Sequence, residues 1–187
     1  MTCPAATARL RLRAWREADR QPLRALNADA QVMAYFPSTL NAAQSDALFD
    51  RIVAHHMAHG FGLWAVERAD TADFIGFTGL SIPQWHPCFG PCVEIGWRLA
   101  AAHWGQGFAT EAARTVLAFA FDSLGLDEVV SFTAAVNSRS ERVMERIGMH
   151  HAPSDDFDHP ALPPGHPLTR HVLYRLSKDA WTARHRQ

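Results

Sequence analysis

Between Arg9 and Trp15, apolar Leu10, Leu12 and Ala14 alternate with Arg9, Arg11 and Arg13. A period of two marks a strand with one buried face. The period then lengthens: Leu23 and Leu26 predict a helix from about Asp19 to Asn27, with Pro22 in its first turn. Val32 to Phe36 is apolar and stops at Pro37. Asn41 is placed to cap a second helix running to about His59 and carrying Leu48, Ile52, Val53 and Met57, with Gly60 ending it. Phe61 to Arg68 and Phe74 to Ile82 read as strands joined by the polar turn Ala69-Asp70-Thr71-Ala72-Asp73. Gly76 and Gly79, inside the second of these, predict a bulge or a close backbone approach.

Pro83 to Pro91 reads as loop and Cys92 to Leu99 as a central strand. The clearest helix follows: Ala109, Ala112, Ala113, Val116, Leu117, Ala120, Phe121 and Leu124 recur at i, i+3, i+4, and Gly125 stops them. Glu128 to Ala135 is another strand. Asn137-Ser138-Arg139-Ser140-Glu141 opens a short helix, with Ser138 and Glu141 at capping-box spacing and Gly148 closing it. Met149 starts a further strand, His151 to Pro167 is a long Pro- and Asp-rich loop, and Arg170 to Ser177 is the closing strand. This order predicts one α/β (α+β) domain over 1–187: a curved mixed sheet of six to seven strands with helices on both faces. A C-terminal edge strand is a possible seam for a homodimer.

Composition narrows the class. Lys and Arg total 18 against 19 Asp and Glu, a net charge of -1. That balance argues against partners held by charge, nucleic acid or a membrane surface. No apolar run reaches the length of a membrane span, and the N-terminus lacks a signal-peptide pattern. Three cysteines, Cys3, Cys88 and Cys92, form no disulfide framework and suit a reducing cytoplasmic setting. Cys88 and Cys92 lack a second ligand pair, even with His86 and His103 near them in sequence, so no metal is expected. His55, His56 and His59 share a helix without a metalloprotease glutamate and read as a polar face.

The chemistry gathers at Trp104-Gly105-Gln106-Gly107-Phe108-Ala109-Thr110, between the central strand and the clearest helix. Two glycines let the backbone approach a ligand, and the first N–H groups of the helix have no partner within it. With the macrodipole they make a cradle for phosphate. Gly105-x-Gly107 lacks the third glycine of a dinucleotide fingerprint, and no Gly-Lys-Ser/Thr follows, so spacing alone does not name the ligand.

These residues resemble the acetyl-CoA motif of the GNAT superfamily of N-acetyltransferases. The resemblance rests on Val93-Glu94-Ile95-Gly96-Trp97 followed by Trp104-Gly105-Gln106-Gly107-Phe108-Ala109-Thr110-Glu111-Ala112. The superfamily pattern is Arg/Gln-x-x-Gly-x-Gly/Ala; here Trp104, Gly107 and Ala109 take the first, fourth and sixth places. Trp in the first place departs from the broad pattern and is similar to the ribosomal-protein-alanine acetyltransferase (RimJ/RimL-like) branch. A second match to that branch is Asn137-x-x-Ser140-x-x-Val143-x-x-x-Ile147-Gly148-Met149.

The resemblance implies the GNAT fold and acetyl-CoA as cosubstrate. Backbone N–H groups from about Trp104 to Thr110 would hold the pyrophosphate. The central strand would splay near Leu99 so that its backbone pairs with the pantetheine arm. Asn137 would touch the pantetheine, and Ser140 would lie near the sulfur. Many members carry a Tyr acid seven residues after the Asn; here that position is Met144, which leaves Ser140 as the substitute proton donor.

The residues fit amine acetylation. At pH 7 a Lys-type amine costs about 4–5 kcal/mol to deprotonate and an α-amino group about 1 kcal/mol, so a general base helps either. Glu94 alternates with Val93 and Ile95, and an apolar setting would raise its pKa into the useful range. The acceptor is an amine, a protein N-terminus or a small molecule. Bland readings stand beside these: Glu94 as a solvated or hydrogen-bonded strand residue, Ser140 as a first-turn residue, Asn137 as a cap. The acidic run Asp155-Asp156-Phe157-Asp158-His159-Pro160 is a solvated loop or a dock for a cationic acceptor. A non-catalytic acyl-CoA sensor is the rival from another class.

Overall fold

The computed structural model describes residues 3–185. The strands are β1 (Leu10–Arg13), β2 (Leu63–Arg68), β3 (Phe74–Ser81), β4 (Glu94–Leu99), β5 (Glu128–Ala134), β6 (His150–His151), β7 (Phe157–Asp158) and β8 (Arg170–Ser177). The helices are α1 (Arg20–Ala28), α2 (Ala42–His59), α3 (Phe108–Ala118), α4 (Ser138–Arg146) and α5 (Lys178–His185). All eight strands join one mixed sheet in the order β1-β2-β3-β4-β5-β8-β6, with β7 also paired to β8. Every pairing is antiparallel except β4 with β5, the two strands that flank α3 in sequence.

Helices cover both faces, as the periodicities require. On one face Leu23, Leu26 and Phe49 of α1 and α2 close over Phe77. On the other, Ala112, Val116 and Leu117 of α3 pack with Ile75, Leu80 and Ile95. Fully burying side chains such as Val116 and Leu117 stabilises the fold by ~2 kcal/mol each. The interior glycines of β3 behave as expected. A Cβ at Gly76 would lie 2.1 Å from the Arg98 carbonyl oxygen, one at Gly79 2.1 Å from that of Gly62, and the β2–β3 register shifts between Val66 and Glu67, beside Gly76. Asn41 caps α2 in a reciprocal box with Gln44, and Gly60 ends it at φ 74°.

The structure departs from the sequence expectations at five points. An eighth strand, β7, lies in the segment read as loop, because β8 is long enough to pair β7 and β6 at different stretches of its free edge. After Ala118, α3 widens into a π turn over Phe119–Ser123, with the Leu124 N–H donating to the Phe119 carbonyl. α5 had no strong periodic signal; it docks through Trp181, whose ring lies 5.6 Å from Phe121. The cap of α4 is Asn137, whose Oδ1 accepts the Ser140 N–H, rather than Ser138. His55 and His56 are fasteners rather than a polar face. His55 Nδ1 donates to the Phe61 carbonyl while its Nε2 accepts the Ile82 N–H, and buried His56 donates to the Leu63 carbonyl. No helix among the described residues is long and apolar enough to cross a membrane.

Candidate functional site

The site begins with a defect in the sheet. β4 and β5 pair only at Glu94 with Val130, where the Val130 N–H donates to the Val93 carbonyl at 3.0 Å. Backbone polar groups alternate sides along a strand, so those of Ile95, Trp97 and Leu99 face the same edge as that carbonyl. Beyond Val130 no β5 partner reaches them. The two strands part, and a cleft of about 970 Å³ opens between Ile95–Leu99 and Ser131–Ala134. The splay expected near Leu99 is therefore present in the sheet.

The Gly-rich turn lies at one end of this cleft. Trp104 bolts the turn to the strand: its Nε1 donates to the Leu99 carbonyl at 2.8 Å, and its ring carries the Arg139 guanidinium at 4.5 Å. Gly105 and Gly107 have φ 74° and 81°, the left-handed region that side chains disfavour. A Cβ at Gly105 would meet nothing within 4 Å, so the space above it is open. Gly107 is the N-cap of α3 and has no side chain to cap it. The N–H groups of Phe108, Ala109 and Thr110 are thus left for an anion at the positive end of the helix. The backbone stretch is narrower than expected. The Trp104 N–H is spent on the Ala101 carbonyl at 3.1 Å. Gln106 faces away, its side chain on the Ala102 carbonyl and its own carbonyl on Arg9. The side chains of Leu99 and Phe108 belong to the core.

Sequence reasoning missed three cations here. Arg139, Arg142 and Arg146 of α4 line the cleft. Their i, i+3, i+7 spacing puts them on one helix face, a signal that was legible in the sequence. Phosphates are the chemistry such a face suits.

Glu94 sits at the joint where the strands part and lines the cleft. It faces away from Ile95 and opposes Ser81 on β3, whose hydroxyl donates to Glu94 Oε2 at 3.5 Å. Desolvation pushes its carboxyl up to about 8, with the Ser81 hydrogen bond pulling weakly the other way. Ser140 lies across the cleft on α4. Asn137 Nδ2 donates to Ser140 Oγ at 3.0 Å and to Thr133 Oγ1 at 2.9 Å. Both amide hydrogens of Asn137 therefore have protein partners. Ser140 Oγ, already an acceptor, keeps its own proton to donate. Met144, in the usual acid position, is buried in the core.

The other end of the cleft is built from distant segments: Val32, Tyr35 and Phe36 from the α1–α2 loop, and Phe132, His159 and His171 around β5, β7 and β8. The His159 and His171 rings lie 4.9 Å apart, and burial lowers the pKa of both. Arg98 enters from β4. Of the acidic segment 155–160, His159 lines the cleft but the aspartates do not: Asp155 holds Arg175, Asp156 holds His151 and Asp158 holds Arg170. All three cysteines are free.

Comparison with known proteins agrees with this geometry. Residues 9–150 match the family described as Acetyltransferase (GNAT) domain. The chain belongs to the GNAT acetyltransferase family. It is 32% identical over 147 residues to the uncharacterized protein YkkB of Bacillus subtilis, covering 78% of this chain and 84% of that one. Among solved GNAT-fold structures it resembles an acetyltransferase from Agrobacterium tumefaciens at 27% identity and TM-score 0.75, with 92% of each chain covered. It also shares the fold of the spermidine N-acetyltransferase from Vibrio cholerae, solved with CoA and spermine. There the identity is 21% and the TM-score 0.74, over 94% of this chain and 99% of that one. Members of the GNAT family are N-acetyltransferases that use acetyl-CoA, and this chain is one of them.

Proposed function

We propose that the protein acetylates a primary amine by direct attack on acetyl-CoA bound in the split between β4 and β5. The observation that carries this reading is that split, with an anion cradle at one end and a desolvated carboxyl at its joint. The N–H groups of Gly105 and of residues 107–110, with Arg139, Arg142 and Arg146, suit the pyrophosphate. The β4 backbone at Trp97 and the Leu99 N–H, which β5 leaves unpaired, suit the pantetheine amides, the Leu99 carbonyl being held by Trp104. A second groove, bordered by Arg9, Gly107, Arg114 and Arg146, continues past the turn and suits the nucleotide end.

In the transfer, the amine nitrogen forms a bond to the acetyl carbon and the carbon–sulfur bond breaks. The amine proton goes to the Glu94 carboxylate, and the departing sulfur takes a proton relayed from solvent water through the Ser140 hydroxyl, which Asn137 orients. A base with pKa about 8 is matched to a neutral working pH far better than an ordinary carboxylate. No acyl-enzyme is needed, and burial raises the Cys92 thiol to about 11, which makes it a poor nucleophile. The two motifs led by Trp104 and Asn137 support a place near the ribosomal-protein-alanine branch. The fold shared with a spermidine enzyme keeps small amines in scope.

The test is release of CoA thiol from acetyl-CoA with a panel of amines and N-terminal peptides, alongside calorimetry of acetyl-CoA binding. Turnover with an amine supports transfer. Tight binding of acetyl-CoA without turnover on any acceptor would make the protein an acyl-CoA sensor instead.

A further inference from the structure

The acceptor end of the cleft contains a cation that no carboxylate among the described residues neutralises. Arg98 lies on the same face of β4 as Glu94, with Gly96 between them. A Cβ on Gly96 would meet nothing within 4 Å, so the floor between carboxyl and guanidinium is open space. The guanidinium is held in place from three sides. Its Nη1 donates to Asn27 Oδ1 at 2.5 Å, and it lies 4.1 Å from the Phe36 ring centre and 5.2 Å from that of Phe77. Its Nε is buried without a hydrogen-bond partner, and among the described residues no carboxylate pairs with it.

Arg13 shows what this chain does with a half-buried arginine that serves the fold: it is clasped by Asp19 and Glu67, each at 2.7 Å. Leaving a desolvated cation unpaired is costly. Arg98 carries that cost, and burial lowers its pKa to about 10. With Nη1 on Asn27 and Nε enclosed, Nη2 is the donor left to the cleft that Arg98 lines, and a guanidinium lacking an anion there suits a carboxylate.

The charge left for the acceptor points the same way. Glu94 is the sole carboxylate among the described residues lining the cleft, and of its four arginines Arg98 is the one not assigned to the cofactor phosphates. A polyamine would bring two or three ammonium groups and find one acid. Asp155, Asp156 and Asp158 do not line the cleft and are paired with Arg175, His151 and Arg170.

We propose that the acceptor is an amine that also carries a carboxylate, of the amino-acid class, and that Arg98 binds that carboxylate while the amine faces Glu94. This rests on the transfer reading above and names its substrate class.

The experiment measures thiol release with α- and ω-amino acids, their carboxamides and spermidine, each rate corrected for the fraction of free amine. For wild type, the acids are expected to exceed their amides at least tenfold in kcat/KM. Arg98→Gln is expected to lower kcat/KM for the acids at least tenfold, through KM. The amides should stay within twofold and the KM for acetyl-CoA should be unchanged, and Arg98→Lys should recover part of the loss. Equal use of acids, amides and spermidine by wild type overturns the proposal, as does an equal loss on acids and amides in Arg98→Gln, which marks a structural role. Should Arg98→Gln fail to fold, the acid-to-amide ratio of Arg98→Lys decides by the same criterion. Absence of turnover with every amine, with acetyl-CoA still bound, overturns the transfer reading separately. The carboxylate site is then read by melting temperature in the presence of CoA. Acids that raise it for wild type and not for the variant sustain the site, and no rise refutes it.

Discussion

The two ends of the cleft are built on different principles. The cradle of the cofactor end is one contiguous piece, strand β4, turn and helix α3, whose backbone N–H groups would do the recognising, with the arginine face of α4 beside it. The acceptor end is assembled from three segments spread over more than a hundred residues of chain, 31–37, 94–98 and 159–171, where side chains would provide it. A backbone cradle depends on glycine φ angles and a helix start, which many side chains can support equally. A side-chain pocket changes with every substitution. The contrast explains why one cosubstrate can be read from a motif while the acceptor needs the assembled fold.

Substitutions that touch one end and spare the other sharpen this division. The largest effect is expected at the joint. Glu94→Gln should lower kcat/KM by about 10²–10⁴-fold, the usual contribution of a general base, with the affinity for acetyl-CoA retained in calorimetry. Its pH profile carries the sign. Because the carboxyl titrates near 8 and acts as the anion, wild-type kcat/KM should rise with pH up to about 8 and level off above it. With a weakly basic aromatic amine as acceptor, that rise belongs to the enzyme, and Glu94→Gln should abolish it.

Next comes the cradle. Gly107→Val puts a β-branched residue at φ 81°. Strain of about 1–3 kcal/mol corresponds to roughly 5–150-fold weaker acetyl-CoA binding, measured by calorimetry, while the acceptor KM at saturating acetyl-CoA should hold. An equal change at both ends would break the division. Ser140→Ala should slow kcat by about tenfold, one modest proton-transfer contribution. A larger loss of melting temperature than of rate would assign Ser140 to the α4 cap alone. The smallest effect is expected at Asp158, an exposed residue paired with Arg170. Asp158→Asn should leave the amine KM within twofold and stability within about 0.5 kcal/mol. A marked rise in KM would reinstate the acidic loop as part of the acceptor site.

Several features were legible without coordinates because their cause is local. The period of α3, the Asn41 box of α2 and the interior glycines of β3 depend on neighbours a few residues away. Glu94 was found by alternation, and its raised pKa followed from the apolar residues beside it. The Arg139–Arg142–Arg146 face was also local and was passed over, since a charged face on a short helix usually means solvent. α5 and β7 gave little local signal. They exist because Phe121 offers Trp181 a surface and because β8 has a free edge.

The sequence by itself determined most of the order of elements and the Gly-rich turn at the start of α3, because periodicity, capping and turn chemistry act over a few residues, and the resemblance of its two motifs supplied the family with its cosubstrate. Only the tertiary structure decided where β4 and β5 part, that the N–H of Trp104 is already spent, that the aspartates of the 155–158 run turn to other partners, and that Arg98 stands without a counter-charge. Each of these depends on which distant groups come within hydrogen-bonding or Coulombic reach, and that is set by how the chain closes on itself.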